Sequence, residues 1–329
     1  MDSLSQIVLG AACCGAVAPR LGRRALVYGA VLGTLPDLDV LLLGGLDPVR
    51  QFTEHRSFSH SLFVLTLVAP LLGWIIRRLD SRVAAIEPAR WLLATWLALV
   101  THPLLDAFTV YGTQLWWPLS PPPTMWASMF IIDPLYTLPF AVLLVLAWRR
   151  AREAVAMQRL LLVGLALSSV YLGWSLAAQQ LAVRRAESAL IASGHGHAAL
   201  LVSPAPFTTL MWRAVAVDED GDGEAWISLR PGAPAPQWRW QPQSTALREA
   251  AAQTPPGQRL AWFTHGFYRA YSEHDRLHVA DLRMGAEGDY FFVFEIGQRE
   301  GMLWRAHTPR AVAQPRPRLD RLGDIYAQF

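Results

Sequence analysis

Four short runs within the first 133 residues set ionisable side chains into apolar sequence. They are Thr34-Leu-Pro-Asp37-Leu-Asp39, Glu54-His55-Arg56-Ser-Phe-Ser-His60-Ser61, Thr101-His102-Pro-Leu-Leu-Asp106 and Ile132-Asp133-Pro134. A charged side chain at the centre of a membrane helix costs roughly 2.5–3.5 kcal/mol on insertion scales, so such groups face a cavity, a partner or a metal ion. Imidazoles and carboxylates together are the donor set of Zn2+ or Mn2+. His102 and Asp106 stand one helical turn apart and project from one face. Pro36 marks a turn or helix start from which Asp37 and Asp39 can enter one pocket. His60 is expected in the first turn of the next helix, capped by Ser57 or Ser59. Metal ligation therefore falls to Asp37, Asp39, His60, His102 and Asp106, for one or two divalent ions, Zn2+ ahead of Mn2+. Catalytic roles fall to His55 and Asp133, as further ligands or proton-transfer groups, and to Arg56, whose guanidinium can fork onto an anionic substrate group. Such a centre brings the pKa of a bound water toward ~7 and polarises a scissile ester or phosphoryl oxygen. Singly, each residue has a plainer reading: a histidine as a hydrogen-bonded helix contact, Asp39 as an N-cap, Asp133 as a helix start.

Six apolar stretches are available to position these residues, at about 4–19, 25–45, 58–76, 90–108, 131–148 and 159–182, several near the ~20 residues that a bilayer requires. Arginines set their orientation. Arg20, Arg23 and Arg24 follow the first stretch, Arg77, Arg78, Arg82 and Arg90 surround the loop after the third, and Arg149, Arg150, Arg152 and Arg159 fill the loop after the fifth, which marks those sides as cytoplasmic. The loop from Thr109 to Phe130 has no basic residue and carries Trp116, Trp117 and Trp126, as suits an outer, interfacial loop. In this topology the polar residues of stretches two to five all fall toward the outer face. The expected architecture is an all-α polytopic membrane domain of about six apolar helices over residues 1–185, then a small soluble α+β or mainly β domain over 186–329 on the extracytoplasmic side. Strand candidates there are 207–217, 225–229 and 289–295, a short helix is expected near 244–253, and the tail 308–321, rich in Pro and Arg, is expected to be extended.

The composition excludes other classes. Hydrophobic residues make up 53% of the chain and the net charge is +3, but every basic residue is an arginine and the arginines punctuate helix ends instead of forming a run, so no nucleic-acid surface is indicated. Cys13 and Cys14 are adjacent in a small-residue stretch and read as helix packing. Ala16-Val17-Ala18 fits a signal-cleavage pattern, yet Asp2 replaces the basic n-region, which argues against cleavage. Asp218-Glu-Asp220-Gly-Asp222-Gly223 mimics the start of a calcium loop, but Leu229 stands where a bidentate Glu is required, so a hairpin turn is favoured. Gly173-Trp-Ser175-Leu-Ala177 lies in an apolar helix and not at a nucleophile elbow. His195 and His197 read as solvated, and His274 and His278 as turn and strand residues.

Gly33-Thr-Leu-Pro-Asp-Leu-Asp39, His55-Arg-Ser-Phe-Ser-His-Ser61 and Thr101-His-Pro-Leu-Leu-Asp106, in this order, resemble the YdjM/YbcI-like family of inner-membrane, metal-dependent hydrolases, one branch of which is associated with LexA control. The resemblance continues through Tyr111-Gly-Thr-Gln114 and Ile131-Ile-Asp-Pro-Leu135 and covers roughly residues 1–180. Pro206-Phe-Thr-Thr-Leu-Met-Trp-Arg213 and Asp281-Leu-Arg-Met-Gly285 are similar to pieces of longer members. Many relatives carry a histidine near the position of Gln6. The H-x-x-x-D pair is also similar to the zinc site of phospholipase C-like helical enzymes, which implies phosphoester or lipid substrates. The resemblance implies a multi-pass protein of the bacterial inner membrane that hydrolyses an ester or phosphoester, with a lipid as the expected substrate. The rivals are a transporter or proton relay using the same Asp and His groups, and a non-catalytic membrane scaffold. Polar residues should continue to the cytoplasmic helix ends in a relay, and those ends are apolar up to their arginines.

Overall fold

A computed structural model describes residues 1–312. The expected extended tail therefore lies outside the described residues from 313 onward, while 308–311 form part of a strand. By internal contacts the chain forms two compact units. The first comprises Met1–Leu42 and Arg56–Leu176, and the second Leu43–His55 together with the chain from Ala177 on.

The first unit is helical. Helix α1 (Ser3–Val17) starts at Asp2, whose carboxylate accepts from the Ser5 N–H. Helix α2 (Arg23–Thr34) runs into a 3-10 turn at Leu35–Asp39 and then the short α3 (Val40–Leu43). A second 3-10 turn, Phe58–His60, precedes α5 (Leu62–Leu79), with Ser61 as its N-cap. The short α6 (Ser81–Ala84) leads to α7 (Pro88–Asp106), followed by α8 (Pro134–Arg149) and α9 (Ala154–Ala192), which continues into the second unit. Helices thus occupy all six apolar stretches, but among the described residues three are long and apolar enough to cross a membrane: Arg23–Leu43, Leu62–Leu79 and Ala154–Ala192. Helices α1 and α8 are apolar but only 15 and 16 residues long.

Close approach of α1 and α2 organises the unit. Gly29 and Gly33 are four apart on α2, and Gly10 faces them from α1; a Cβ on Gly10 would collide with the Gly29 carbonyl, and one on Gly33 would come within 2.8 Å of the Gln6 carbonyl. Small residues at this spacing let helix backbones pack without intervening side chains. Leu105 of α7, Met129, and Tyr136 and Phe140 of α8 pack with Val8, Leu9 and Ala12 of α1 in one buried cluster.

In the second unit, β1 (Ala199–Pro204), β2 (Met211–Val217), β3 (Gly221–Ser228) and β4 (Arg239–Pro242) form an antiparallel meander. Trp212, Ala214 and Ile227 pack against Ala178, Ala182 and Ala186 of α9. The acidic loop is a hairpin turn, as favoured: Asp218 Oδ1 accepts the N–H groups of Asp220 and Gly221. Helices α10 (Thr245–Ala252) and α11 (Pro255–Phe263) lead to a second antiparallel meander of β5 (Tyr268–Glu273), β6 (Arg276–Asp281), β7 (Val293–Glu300) and β8 (Leu303–Ala311). Arg269 of β5 forks onto Asp222 of β3 at 2.8 and 2.6 Å and also reaches Glu287. Burial pushes the Glu287 carboxyl up, but hydrogen bonds from Arg269 outweigh it and hold the group below its ordinary value. The segment Leu43–His55, with helix α4 (Pro48–Glu54), belongs to this unit although it lies between two motifs of the first.

Candidate metal centre

Asp37, His60, His102 and Asp106 meet inside the first unit, each offering one ligand atom within 4.8 Å of all the others. They come from three places: the 3-10 turn after α2, the 3-10 turn before α5, and the last turn of α7. His60, His102 and Asp106 are buried, and Asp37 keeps 27% of its side chain exposed, so solvent reaches the cluster at Asp37.

The second nitrogen of each imidazole fixes which face turns inward. His102 Nδ1 lies 2.6 Å from the Gly33 carbonyl, which can only accept, so Nδ1 carries the proton and Nε2 a lone pair. Ser59 Oγ donates to Asp39 Oδ2 (2.9 Å) and therefore accepts from His60 Nδ1 (2.9 Å), which again leaves the lone pair on Nε2. The two Nε2 atoms stand 3.1 Å apart. His60 Nε2 is 3.5 Å from Asp37 Oδ1 and 3.3 Å from Asp106 Oδ2; His102 Nε2 is 3.3 and 3.4 Å from the same atoms. Five of the six edges thus measure 3.1–3.5 Å. A tetrahedron with bonds of ~2.0–2.1 Å to a central Zn2+ has edges of about 3.3–3.4 Å. Asp106 Oδ2 has no hydrogen-bond donor among the described residues. Four lone-pair atoms aimed at one buried point repel unless a cation sits among them, so the donor set fits a divalent ion.

Other side chains support this centre. Arg56, 4% exposed, has its Nε 3.3 Å from Asp106 Oδ2, donates to Thr109 Oγ1 (3.3 Å) and lies over the Tyr111 ring at 4.9 Å. Its own N–H is bound by Asp39 Oδ2 (3.0 Å), and its φ of 63° is a left-handed conformation that a side chain adopts only when its surroundings hold it there. Gln6 of α1, also buried, donates to Asp106 Oδ1 (2.9 Å) and to the His102 carbonyl (3.2 Å), so this side chain abuts the cluster. The Met1 α-amino group bonds the same Asp106 carboxylate.

The expected residues therefore occupy three situations. Asp37, His60, His102 and Asp106 converge. Asp39 stands behind His60 and Arg56 beside Asp106. Asp133 caps α8 through the N–H groups of Leu135 (3.0 Å) and Tyr136 (3.2 Å) and accepts from Tyr171 (2.8 Å), while His55 ends α4 through its N–H to the Gln51 carbonyl (3.2 Å). His60 lies in a 3-10 turn and not in the first turn of α5. The Gly33 carbonyl, Ser59 as the link to Asp39, and Gln6 were not assigned from sequence as partners of the cluster. The glycine pair before Asp37 and the serine beside His60 were the available signals.

The helices and the buried Asp/His cluster define a membrane protein with a candidate metal centre. Residues 1–182 match the family described as YdjM inner membrane protein, and the chain belongs to that family. Among curated proteins it is similar to the inner membrane protein YbcI of Escherichia coli (strain K12), 38% identical over 94 residues, which are 29% of this chain and 52% of that protein. The chain thus spans about half the length of this curated relative. No solved structure matches. Family membership and the three long apolar stretches identify an inner-membrane protein.

Proposed function

We propose that this chain is a multi-pass, metal-dependent hydrolase that cleaves an ester or phosphoester of a membrane lipid at the outer face of the inner membrane. Asp37, His60, His102 and Asp106 hold one divalent ion, Zn2+ by its donor set. The observation that carries this reading is the set of five ligand edges of 3.1–3.5 Å around a buried point. When bound, the ion supplies Lewis-acid polarisation of the scissile oxygen and acidifies water toward ~7. The chain's own residues do the rest. Gly33 and the pair Ser59 and Asp39 hold the two imidazoles with Nε2 inward. Arg56 balances Asp106 and gives the pocket positive charge toward a phosphate oxygen. Asp37, the member that solvent touches, marks the entrance.

The surroundings of that entrance favour an amphiphile. Leu38 and Leu41, next to Asp37, are 52% and 77% exposed. Phe58 shares its 3-10 turn with His60 and contacts Trp117, and Phe63 contacts Trp116, all four rings partly exposed. Aromatic rings of this kind anchor at headgroup level, the depth of a lipid's ester and phosphoester bonds. The six helical stretches cross the bilayer, with the arginine-rich loops cytoplasmic and the domain beyond residue 185 outside. Purified full chain is expected to carry about one Zn2+ by elemental analysis and to hydrolyse glycerophospholipid vesicles in a chelator-sensitive way. The double variant His102→Ala, Asp106→Ala is expected to lose both. Retention of the ion by that variant, or hydrolysis indifferent to chelation, refutes the proposal.

A further inference from the structure

The two oxygens of the Asp106 carboxylate stand in different surroundings. Oδ2 faces both imidazole Nε2 atoms, at 3.3 Å from His60 and 3.4 Å from His102, with Arg56 beside it as an ion pair, and it takes no hydrogen-bond donor among the described residues. Oδ1 is occupied. The Gln6 Nε2 donates to it at 2.9 Å, and the Met1 α-amino group bonds it as well. A carboxylate whose second oxygen is occupied offers an ion one oxygen, whereas one free on both sides can close over a cation with two.

Gln6 is a buried residue of α1, 1% exposed, and its amide has one workable orientation. Its near neighbours, Asp106 Oδ1 and the His102 carbonyl (3.2 Å), can only accept, so the NH2 group faces them both. The penalty falls on the other end of the amide, where Oε1 is buried and meets no donor among the described residues. A side chain that leaves its own oxygen unsatisfied is held there by its N–H groups. Those groups bridge the backbone of one ligand and the carboxylate of the next, one turn apart on α7. The α1 backbone has little room to relieve the amide, because the Gln6 carbonyl lies against Gly33 of α2, where a Cβ would come within 2.8 Å of it.

We propose that Gln6 determines which ion the centre takes: by occupying Asp106 Oδ1 it restricts that carboxylate to one oxygen, which favours four-coordinate Zn2+ over Mn2+, an ion that seeks octahedral, oxygen-rich sites. This role rests on the reading of the Asp/His cluster as a metal site. In purified full-length protein, Gln6→Met keeps the length of the side chain and removes its donors. Competition with a chromophoric chelator is expected to show Zn2+ bound about tenfold more weakly and Mn2+ bound as before or more tightly, so that the preference for Zn2+ falls with it. The visible d–d absorption of the Co2+-loaded variant is expected to weaken as the carboxylate closes on the ion with both oxygens and the coordination number rises. Ser59→Ala, which acts on the His60 ring and not on the carboxylate, is the control; it is expected to weaken both ions alike and leave the preference where it was. Gln6→Asn, whose amide is one carbon short of Asp106, carries the test should Gln6→Met not fold, and is expected to shift the preference in the same direction. Wild-type protein that binds no Zn2+ overturns the metal reading and this role together. An unchanged preference for Zn2+ over Mn2+ in Gln6→Met and Gln6→Asn, or a shift of equal size in Ser59→Ala, overturns the role of Gln6 alone.

Discussion

His60 presents a lone pair inward because of the serine that precedes it in the chain. A neutral imidazole carries one proton, and the path from His60 Nδ1 through Ser59 Oγ to Asp39 Oδ2 holds it on the outward nitrogen. Ser59→Ala removes the only acceptor that the serine provides and lets the ring turn or change tautomer. Its Zn2+ affinity is expected to fall 10–100-fold with the stoichiometry unchanged, measured by competition with a chromophoric chelator; unaltered affinity would show that Asp39 holds the ring unaided. Asp37, His60, His102 and Asp106 were legible in the sequence because ionisable groups in apolar sequence are costly and so conspicuous. The Gly33 carbonyl was not, since every residue has a carbonyl and only packing decides which one faces an imidazole. The two Asp residues of Leu-Pro-Asp37-Leu-Asp39 read as equivalent, yet a 3-10 turn sends residues two apart to different sides, Asp37 toward the histidines and Asp39 toward Ser59 and Arg56.

At the scale of elements, the centre depends on how closely α1 and α2 cross. The Gly33 carbonyl that orients His102 lies on α2, and the Gln6 amide that binds Asp106 lies on α1, each brought in by the glycine contact at positions 10, 29 and 33. Gly10→Val drives a branched side chain into the Gly29 backbone, so α1 and α2 must separate. Overpacking of this kind costs about 1–3 kcal/mol, and a shift of α2 by a few tenths of an ångström also lengthens the 2.6 Å contact between Gly33 and His102. The variant is expected to unfold at lower temperature in detergent and to bind Zn2+ less tightly. Gly173→Val is the comparison, because nothing lies within 4 Å of the space its Cβ would enter. Equal behaviour of the two variants would remove the crossing from the account of the site. The helices themselves were legible from apolar periodicity and length, and the β-rich second half from its turns and alternation. The position of α4 was not: its seven residues of mixed polarity lie between two apolar stretches, and the aromatic rings that hold Phe52 stand more than 200 residues along the chain, where no local pattern reaches.

For the whole molecule, the side of the membrane on which the domain after α9 stands, relative to the loop before α8, turns on helix α8. Helix α9, with 39 residues, is ~58 Å long and exceeds a bilayer core of ~30 Å, whereas α8, with 16, reaches only ~24 Å. If both cross, the tryptophan-rich loop before α8 and the domain after α9 share one side of the membrane. If α8 only dips in, they lie on opposite sides. Arginines at both ends of the α8–α9 connection and the basic-free loop before α8 favour two crossings, with the bilayer thinning or Arg149 and Arg150 snorkelling to make up the missing length. Native Cys13 and Cys14 are buried, so single exposed cysteines can be read against a quiet background. Pro122→Cys and Met302→Cys are both expected to react with a membrane-impermeant maleimide from the outside of intact cells with a permeable outer barrier, and Arg152→Cys only after lysis. Pro122 and Met302 are exposed on their own units, Met302 to 93%, so a silent position reports the side of the membrane and not burial. Labelling of one of the two without the other would leave α8 re-entrant and put the domain after α9 on the side opposite the loop before α8.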